Sequence, residues 1–170
     1  MAADVTGDLA AAVITCSNRS AAGARPDDSG HLLAEAVTGW GFRLLSQTVV
    51  PDDIAEIQRV VRQALEEGAR LVLTTGGTGV SPTDVTPEAV GPLLERALPG
   101  IAERLRAVNA DRVPTAVLSR GVAGVIGQAL VVTLPGSPGG VRDGIAVLAP
   151  LVGHVLDQVA GGDHRPGGGV

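Results

Sequence analysis

The sequence has no lysine and no tyrosine, one cysteine (Cys16), one tryptophan (Trp40) and one phenylalanine (Phe42). Each shortage removes a class of function. Without lysine there is no Schiff-base chemistry, no lysine general base and no phosphate loop of the G-x-x-x-x-G-K-[ST] kind. Two aromatic side chains make no stacking platform for single-stranded nucleic acid. All 13 basic residues are arginines, set against 18 acidic ones, and the formal charge of −5 argues against a nucleic-acid surface. A single cysteine excludes an internal disulfide and a cysteine-based zinc cluster. Cys16 follows an apolar run and reads as a small buried hydrophobe rather than a reactive thiol. No apolar run approaches the ~20 residues of a membrane span. The opening MAADVTGDLA carries two acids and no base, unlike a secretory signal. The expectation is a soluble, cytoplasmic protein without nucleic-acid or membrane partners.

What remains is an ordinary globular mixture. At 170 residues, 45% apolar and 18% charged, the chain fits one domain with a sizeable core. Residues 1–8 are small and polar and read as a flexible N-terminus, and residues 161–170, GGDHRPGGGV, as a flexible tail. The single domain is expected over 9–160.

Along that stretch, strand and helix signals alternate. Leu9–Thr15, Phe42–Val50, Arg70–Thr75, Ala116–Leu118 and Ala129–Leu134 read as strands, with a short hairpin within Gly121–Gly127. Ser29 is expected to cap a helix bearing Leu33, Val37 and Trp40, stopped at Gly41. Asp52 or Asp53 caps the next helix, whose buried stripe is Ile54, Ile57, Val61 and Leu65 before Gly68. Thr86 with Pro87 predicts a helix start, continued through Val90, Leu94 and Ala97 and broken at Pro99-Gly100. Ile101, Leu105 and Val108 form a further stripe. Ser137-Pro138 opens the last helical region, Val141 to Val159, which Pro150 should kink or split. This alternation implies an α/β fold with a mostly parallel sheet covered on both faces. Ligands of such folds sit beyond the carboxyl ends of the strands, where strand order reverses. Asp52, the 76–84 loop and the 135–139 loop all follow predicted strands.

The stretch Thr74–Ala89, TTGGTGVSPTDVTPEA, carries most of the chemistry. Gly76, Gly77 and Gly79 allow backbone N–H groups to approach a ligand and form an anion nest without a cationic side chain. Thr74, Thr75, Thr78, Ser81 and Thr83 add hydroxyls beside it, and Asp84 a carboxylate. Asp52 and Asp84 at adjacent strand ends suit a divalent cation, which takes one or two carboxylates together with substrate phosphates. Leu134–Gly140, LPGSPGG, places Ser137 at a helix N-terminus, a second anion site. Ser119-Arg120 follows a predicted strand toward the same crevice, or Arg120 serves in structural pairing. His31, His154 and His164 show no metal-ligand spacing.

TTGGTG, then D-V-T-P-E-A, L-S-R and L-P-G-S-P resemble the MoaB/Mog family of molybdenum-cofactor biosynthesis proteins, to which the gephyrin G domain is similar. The likeness runs from about Leu9 to Ala160. It implies a three-layer α/β/α sandwich, assembly as homotrimers or hexamers, and Mg²⁺-dependent adenylylation of molybdopterin by ATP with release of pyrophosphate. It implies functional roles for Asp52 and Asp84, taken here as catalytic and metal-binding, and substrate binding by Gly76, Gly77, Thr78, Gly79, Ser119, Pro135, Gly136 and Ser137, to which the loop hydroxyls of Thr75 and Ser81 are added as substrate-binding candidates by their position. Asn18, with DSGH (Asp28–His31) and SRGVAGV (Ser119–Val125), resembles the MoaB branch, which also admits a non-catalytic molybdopterin-binding or assembly role.

Overall fold

The computed structural model describes residues 9–162. The terminal stretches read as flexible lie outside these, apart from Gly161 and Gly162, as does His164. Six strands, β1 (Ala10–Cys16), β2 (Arg43–Val50), β3 (Ala69–Thr75), β4 (Arg96–Ala97), β5 (Ala123–Ile126) and β6 (Ala129–Leu134), form one sheet in the order β2-β1-β3-β6-β5-β4. The first four in that order run parallel. β5 turns back against β6 and β4 against β5. β1 and β6 are buried at every position and β3 at all but Arg70, as central parallel strands with both faces covered require.

Among the described residues seven α-helices flank the sheet: α1 (Asn18–Ala21), α2 (Asp28–Gly39), α3 (Ile54–Glu66), α4 (Thr86–Val90), α5 (Pro99–Ala107), α6 (Pro138–Leu148) and α7 (Val152–Val159). On one face, Val13, Leu71, Leu73 and Val132 pack with Leu33 and Val37 of α2, Ile101 of α5, Val141 and Leu148 of α6 and Leu156 of α7. On the other, Ile14, Val72 and Val131 pack with Ile57 and Val61 of α3 and with Ala89 and Val90 of α4. The expected three-layer α/β/α arrangement is present.

Local expectations meet mixed outcomes, each with a cause. Asp53 caps α3, accepting the Glu56 N–H at 2.9 Å, and Ser137 caps α6, accepting the Gly140 N–H at 3.1 Å. Pro150 separates α6 from α7, which meet at a bend of 55°. Among the described residues no single helix is long and apolar enough to cross a membrane. Ser29 is not a cap: Asp27 accepts the Gly30 N–H at 2.9 Å and starts α2 two residues earlier than expected. The Ser29 hydroxyl donates instead to the Gly136 carbonyl at 2.8 Å, joining α2 to the 135–137 loop. The helix expected from Thr86 to Ala97 ends at Val90, because Pro92 lacks the N–H that a continuing helix needs. Arg96–Ala97 becomes the edge strand, and Pro99-Gly100 opens α5 instead of ending a helix. Ala116–Leu118 is not a strand but part of a 3₁₀ turn, Pro114–Leu118. The edge of β5 that it would need is already paired with β4.

Candidate functional site

β1, β2, β3 and β6 are parallel and end on one side, at Cys16, Val50, Thr75 and Leu134. β1 lies between β2 and β3, so the strand order reverses there, and two cavities open beyond it. The first, of about 600 Å³, is lined by Asp52, Thr75, Gly76, Gly77, Thr78, Gly79, Ser81, Asp84, Gly136 and Ser137. The second, of about 560 Å³, takes Ser119 and Pro135 and shares Thr78, Gly79 and Ser137 with the first. Every residue given a catalytic, metal-binding or substrate-binding role therefore lines one of two adjoining cavities, whereas Thr74 and Arg120 line neither. Neither His31 nor His154 lines either one.

The loop after β3 is built from glycines because nothing larger fits its path. Gly76 has φ +95°, and a Cβ there would stand 2.3 Å from the Cys16 carbonyl oxygen. Four successive carbonyls of this loop are held by the protein. Thr86 binds two, its Oγ1 donating to Gly76 O at 2.9 Å and its N–H to Gly77 O at 3.0 Å. Arg120 binds the next two, its N–H donating to Thr78 O at 2.8 Å and its Nε to Gly79 O at 2.7 Å. In a trans peptide the N–H points opposite its carbonyl. The amides of Gly77, Thr78, Gly79 and Val80 accordingly face away from Thr86 and Arg120, in the manner of an anion nest. Thr86, expected as a helix cap, is the loop's fastening, and no spacing signal marks it for that role.

The 135–137 loop is roped to this nest. Gly76 N–H donates to Leu134 O at 3.0 Å, and Thr75 Oγ1 to Pro135 O at 2.7 Å. Asp27, which the sequence did not single out, supports the cavity wall from below: its carboxylate accepts the Thr15 hydroxyl at 2.9 Å.

Asp52 follows Pro51 and leaves the capping of α3 to Asp53. Its Oδ2 accepts the Asn18 N–H at 3.0 Å, and its own N–H donates to Asn18 Oδ1 at 2.9 Å. Its Oδ1 is buried without a hydrogen-bond partner and stands 3.2 Å from where a Gly77 Cβ would be. A buried, unpaired carboxylate oxygen is costly unless a ligand completes it. Asp84 also lies against the loop, but through a hydrogen-bonded oxygen: its Oδ2 accepts the Ser81 N–H at 2.9 Å and lies 2.7 Å from a Gly79 Cβ position. Each carboxylate thus leans on one glycine of the nest. Among the described residues no cluster of three His, Cys, Asp or Glu side chains is placed to hold a metal alone. Two carboxylates beside an anion nest fit Mg²⁺, which keeps waters and shares phosphate oxygens.

In the second cavity, Ser119 Oγ accepts the Gly121 N–H at 3.3 Å. Arg106 donates to Ser119 O and Gly121 O at 3.3 and 3.1 Å. Arg112 and Arg142 also line this cavity, so its charge opposes that of Asp52 and Asp84 next door. Sequence periodicity assigns Arg106 and Arg142 only to helix surfaces.

Cys16 lies under the first cavity. Burial pushes its thiol from 9.0 up to about 12, against a hydrogen bond with Thr86 that lowers it, while the charge of Asp52 adds to the rise. The thiolate is then roughly a thousandfold scarcer in the folded protein than on an open chain at about pH 8. Alkylation by iodoacetamide at that pH should be correspondingly slow until guanidinium unfolds the protein; rapid labelling of the native form would contradict the burial. Above 9.0 the unfolded thiol ionises and the folded one does not, so stability should decline as pH rises toward 12.

The family model described as "probable molybdopterin binding domain" matches residues 12–154. The molybdenum cofactor biosynthesis bifunctional protein of Synechococcus elongatus is 40% identical over 162 residues, covering 94% of this chain and 51% of the relative. The chain thus spans about half the length of that protein. The molybdopterin adenylyltransferase of Pyrococcus furiosus is 38% identical over 149 residues, 85% of this chain and 87% of the relative. Among solved structures, the molybdopterin biosynthesis Mog protein of Mycobacterium ulcerans superposes with a TM-score of 0.85 at 46% identity, covering 89% of this chain and 99% of that one. Fold, motifs and likeness agree, and the chain belongs to the MoaB/Mog family of molybdenum-cofactor biosynthesis proteins.

Proposed function

We propose that this chain is a molybdopterin adenylyltransferase that joins AMP from ATP to the terminal phosphate of molybdopterin. A phosphate oxygen of molybdopterin attacks the α-phosphorus of ATP, the bond to the β-phosphate bridging oxygen breaks, and pyrophosphate leaves. No covalent protein intermediate is needed, in keeping with a chain that has no lysine and whose lone cysteine stays protonated. The amides of Gly77 to Val80 and the Ser137-capped start of α6 receive phosphate oxygens, and Arg106, Arg112 and Arg142 offset further negative charge. Asp52 and Asp84 hold Mg²⁺. When bound, Mg²⁺ neutralises charge on the phosphates and orients them. The observation that carries this reading is the buried Oδ1 of Asp52, unpartnered beside the glycine nest. The reading draws support from the relatives named molybdopterin adenylyltransferase that this chain matches over most of their length. It calls for a compartment rich in ATP, the cytoplasm.

Incubation with molybdopterin, ATP and Mg²⁺ should yield adenylylated molybdopterin and an equal amount of pyrophosphate. Binding of molybdopterin without any product would replace this reading by the non-catalytic assembly role that Asn18 also fits.

We propose further that the chain forms a closed homo-oligomer, a trimer or a dimer of trimers. Val113, Val117 and Leu118 are each at least half exposed on one short segment, an arrangement that favours cover by another copy. Sedimentation velocity at micromolar concentration should show the oligomer, and a monomer there would refute it.

A further inference from the structure

The loop that carries Asp84 has little of its own to hold it. Ser81, Pro82 and Thr83 are exposed, and Val80 is 69% exposed. Between Ser81 and Asp84 its hydrogen bonds are local: Ser81 N–H to Asp84 Oδ2, and Asp84 N–H to Ser81 O, both 2.9 Å. The long-range fastening comes from Arg120. Its Nε donates to Gly79 O and its Nη2 to Asp84 O, both at 2.7 Å, while Nη1 pairs with the Glu88 carboxylate on α4. The Arg120 main chain is fixed in turn: its N–H donates to Thr78 O, and Arg106 of α5 holds the carbonyls on either side of it, at Ser119 and Gly121.

We propose that Arg120 is a positioning residue for the adenylylation read above: its guanidinium bridges the carbonyls at both ends of the Gly79–Asp84 loop and thereby fixes where the Asp84 carboxylate stands. A planar guanidinium presents donors in several fixed directions, and here three different nitrogens take three different partners. An ammonium presents its charge at a single point and does not reproduce that bridge. The ion pair with Glu88 is exposed and adds little stability by itself, so loss of the side chain leaves the fold standing. What it releases is Asp84, and a misplacement of about 1 Å at a reacting centre can cost on the order of 10² in rate.

The test compares Arg120→Ala, Arg120→Lys, Asp84→Asn and the double variant Arg120→Ala/Asp84→Asn by steady-state adenylylation. Binding of Mn²⁺–ATP is followed in parallel by the Mn²⁺ paramagnetic resonance signal, and thermal melts confirm folding. Both Arg120 variants should lower kcat about tenfold or more, leave KM for molybdopterin within about threefold, and weaken Mn²⁺–ATP binding. The double variant should lose no more than Asp84→Asn alone, because Arg120 acts through Asp84. Wild-type kcat in Arg120→Lys, or losses that add fully in the double variant, would overturn the proposal. If the wild-type protein forms no product, the adenylylation reading falls by itself. The same non-additive pattern in Mn²⁺–ATP binding then sustains Arg120's role, and additivity or wild-type affinity there ends it.

Discussion

Asp52→Asn should yield a folded protein that binds molybdopterin and adenylylates it at least about tenfold more slowly, a barrier increase of roughly 1.4 kcal/mol or more. Asparagine has the same shape, its amide oxygen can take the Asn18 N–H, and the Asp52 main-chain contact with Asn18 Oδ1 is untouched. What changes is the charge, and the buried, unpartnered Oδ1 is replaced by an amide nitrogen. A preorganised electrostatic group in such a site is typically worth on the order of 10²–10³ in rate. Asp84→Asn should behave alike, since its oxygen leans on Gly79 as that of Asp52 leans on Gly77. Initial rates of adenylylated molybdopterin formation, with molybdopterin binding and a thermal melt alongside, decide the matter. Both variants at wild-type rate would remove the carboxylates from the chemistry.

The largest effect on stability should come from Gly76→Ala. A positive φ held by a residue with a side chain costs about 1–3 kcal/mol, and this Cβ would in addition press on the Cys16 carbonyl at 2.3 Å. That oxygen belongs to the backbone of β1 and has no rotamer by which to move aside. A loss of about 3 kcal/mol, or roughly 6–12 °C in Tm for a chain of this size, is the expected result. Gly139→Ala is the matched control: it lies in α6 with nothing within 4 Å of its Cβ position, and alanine favours the helix. If both variants melted together, the tight crossing of β1 and the glycine nest would be wrong.

Much of this architecture was legible because the central strands are apolar without interruption. AAAVITC and ALVVTL are buried at every residue, and such runs bounded by turn residues have few other uses. Ser137 was legible as a cap because a proline and an apolar stripe follow it, and for α3 the sequence left Asp52 and Asp53 as alternatives, of which the structure takes Asp53. Asp27 was not, since P-D-D-S offers three competent caps in a row and only the tertiary path past Thr15 selects one. Ala116–Leu118 reads as strand by residue type, but three apolar residues do not specify a strand where no free edge exists, and Val117 and Leu118 stay exposed. In the site, residue types and their position after strands pointed to the glycines, Asp52 and Asp84. The fastenings were less legible: Arg120 stood open between the crevice and a structural pairing, and Thr86 read only as a helix cap. Thr86 and Arg120 act on carbonyls nine to some forty positions away, and carbonyls leave no mark in a sequence.

The first cavity draws its walls from the ends of β1, β2, β3 and β6, so its parts lie up to about 120 residues apart along the chain. No partial fold ending at β3 contains it, because Gly136 and Ser137 have yet to arrive. A molecule bound across this gap recognises only the finished protein, and occupancy at a hundred times its Kd would tilt the folding equilibrium by about 2.7 kcal/mol. Ligand occupancy would then add to the stability of the finished fold, and the empty chain would unfold at lower temperature.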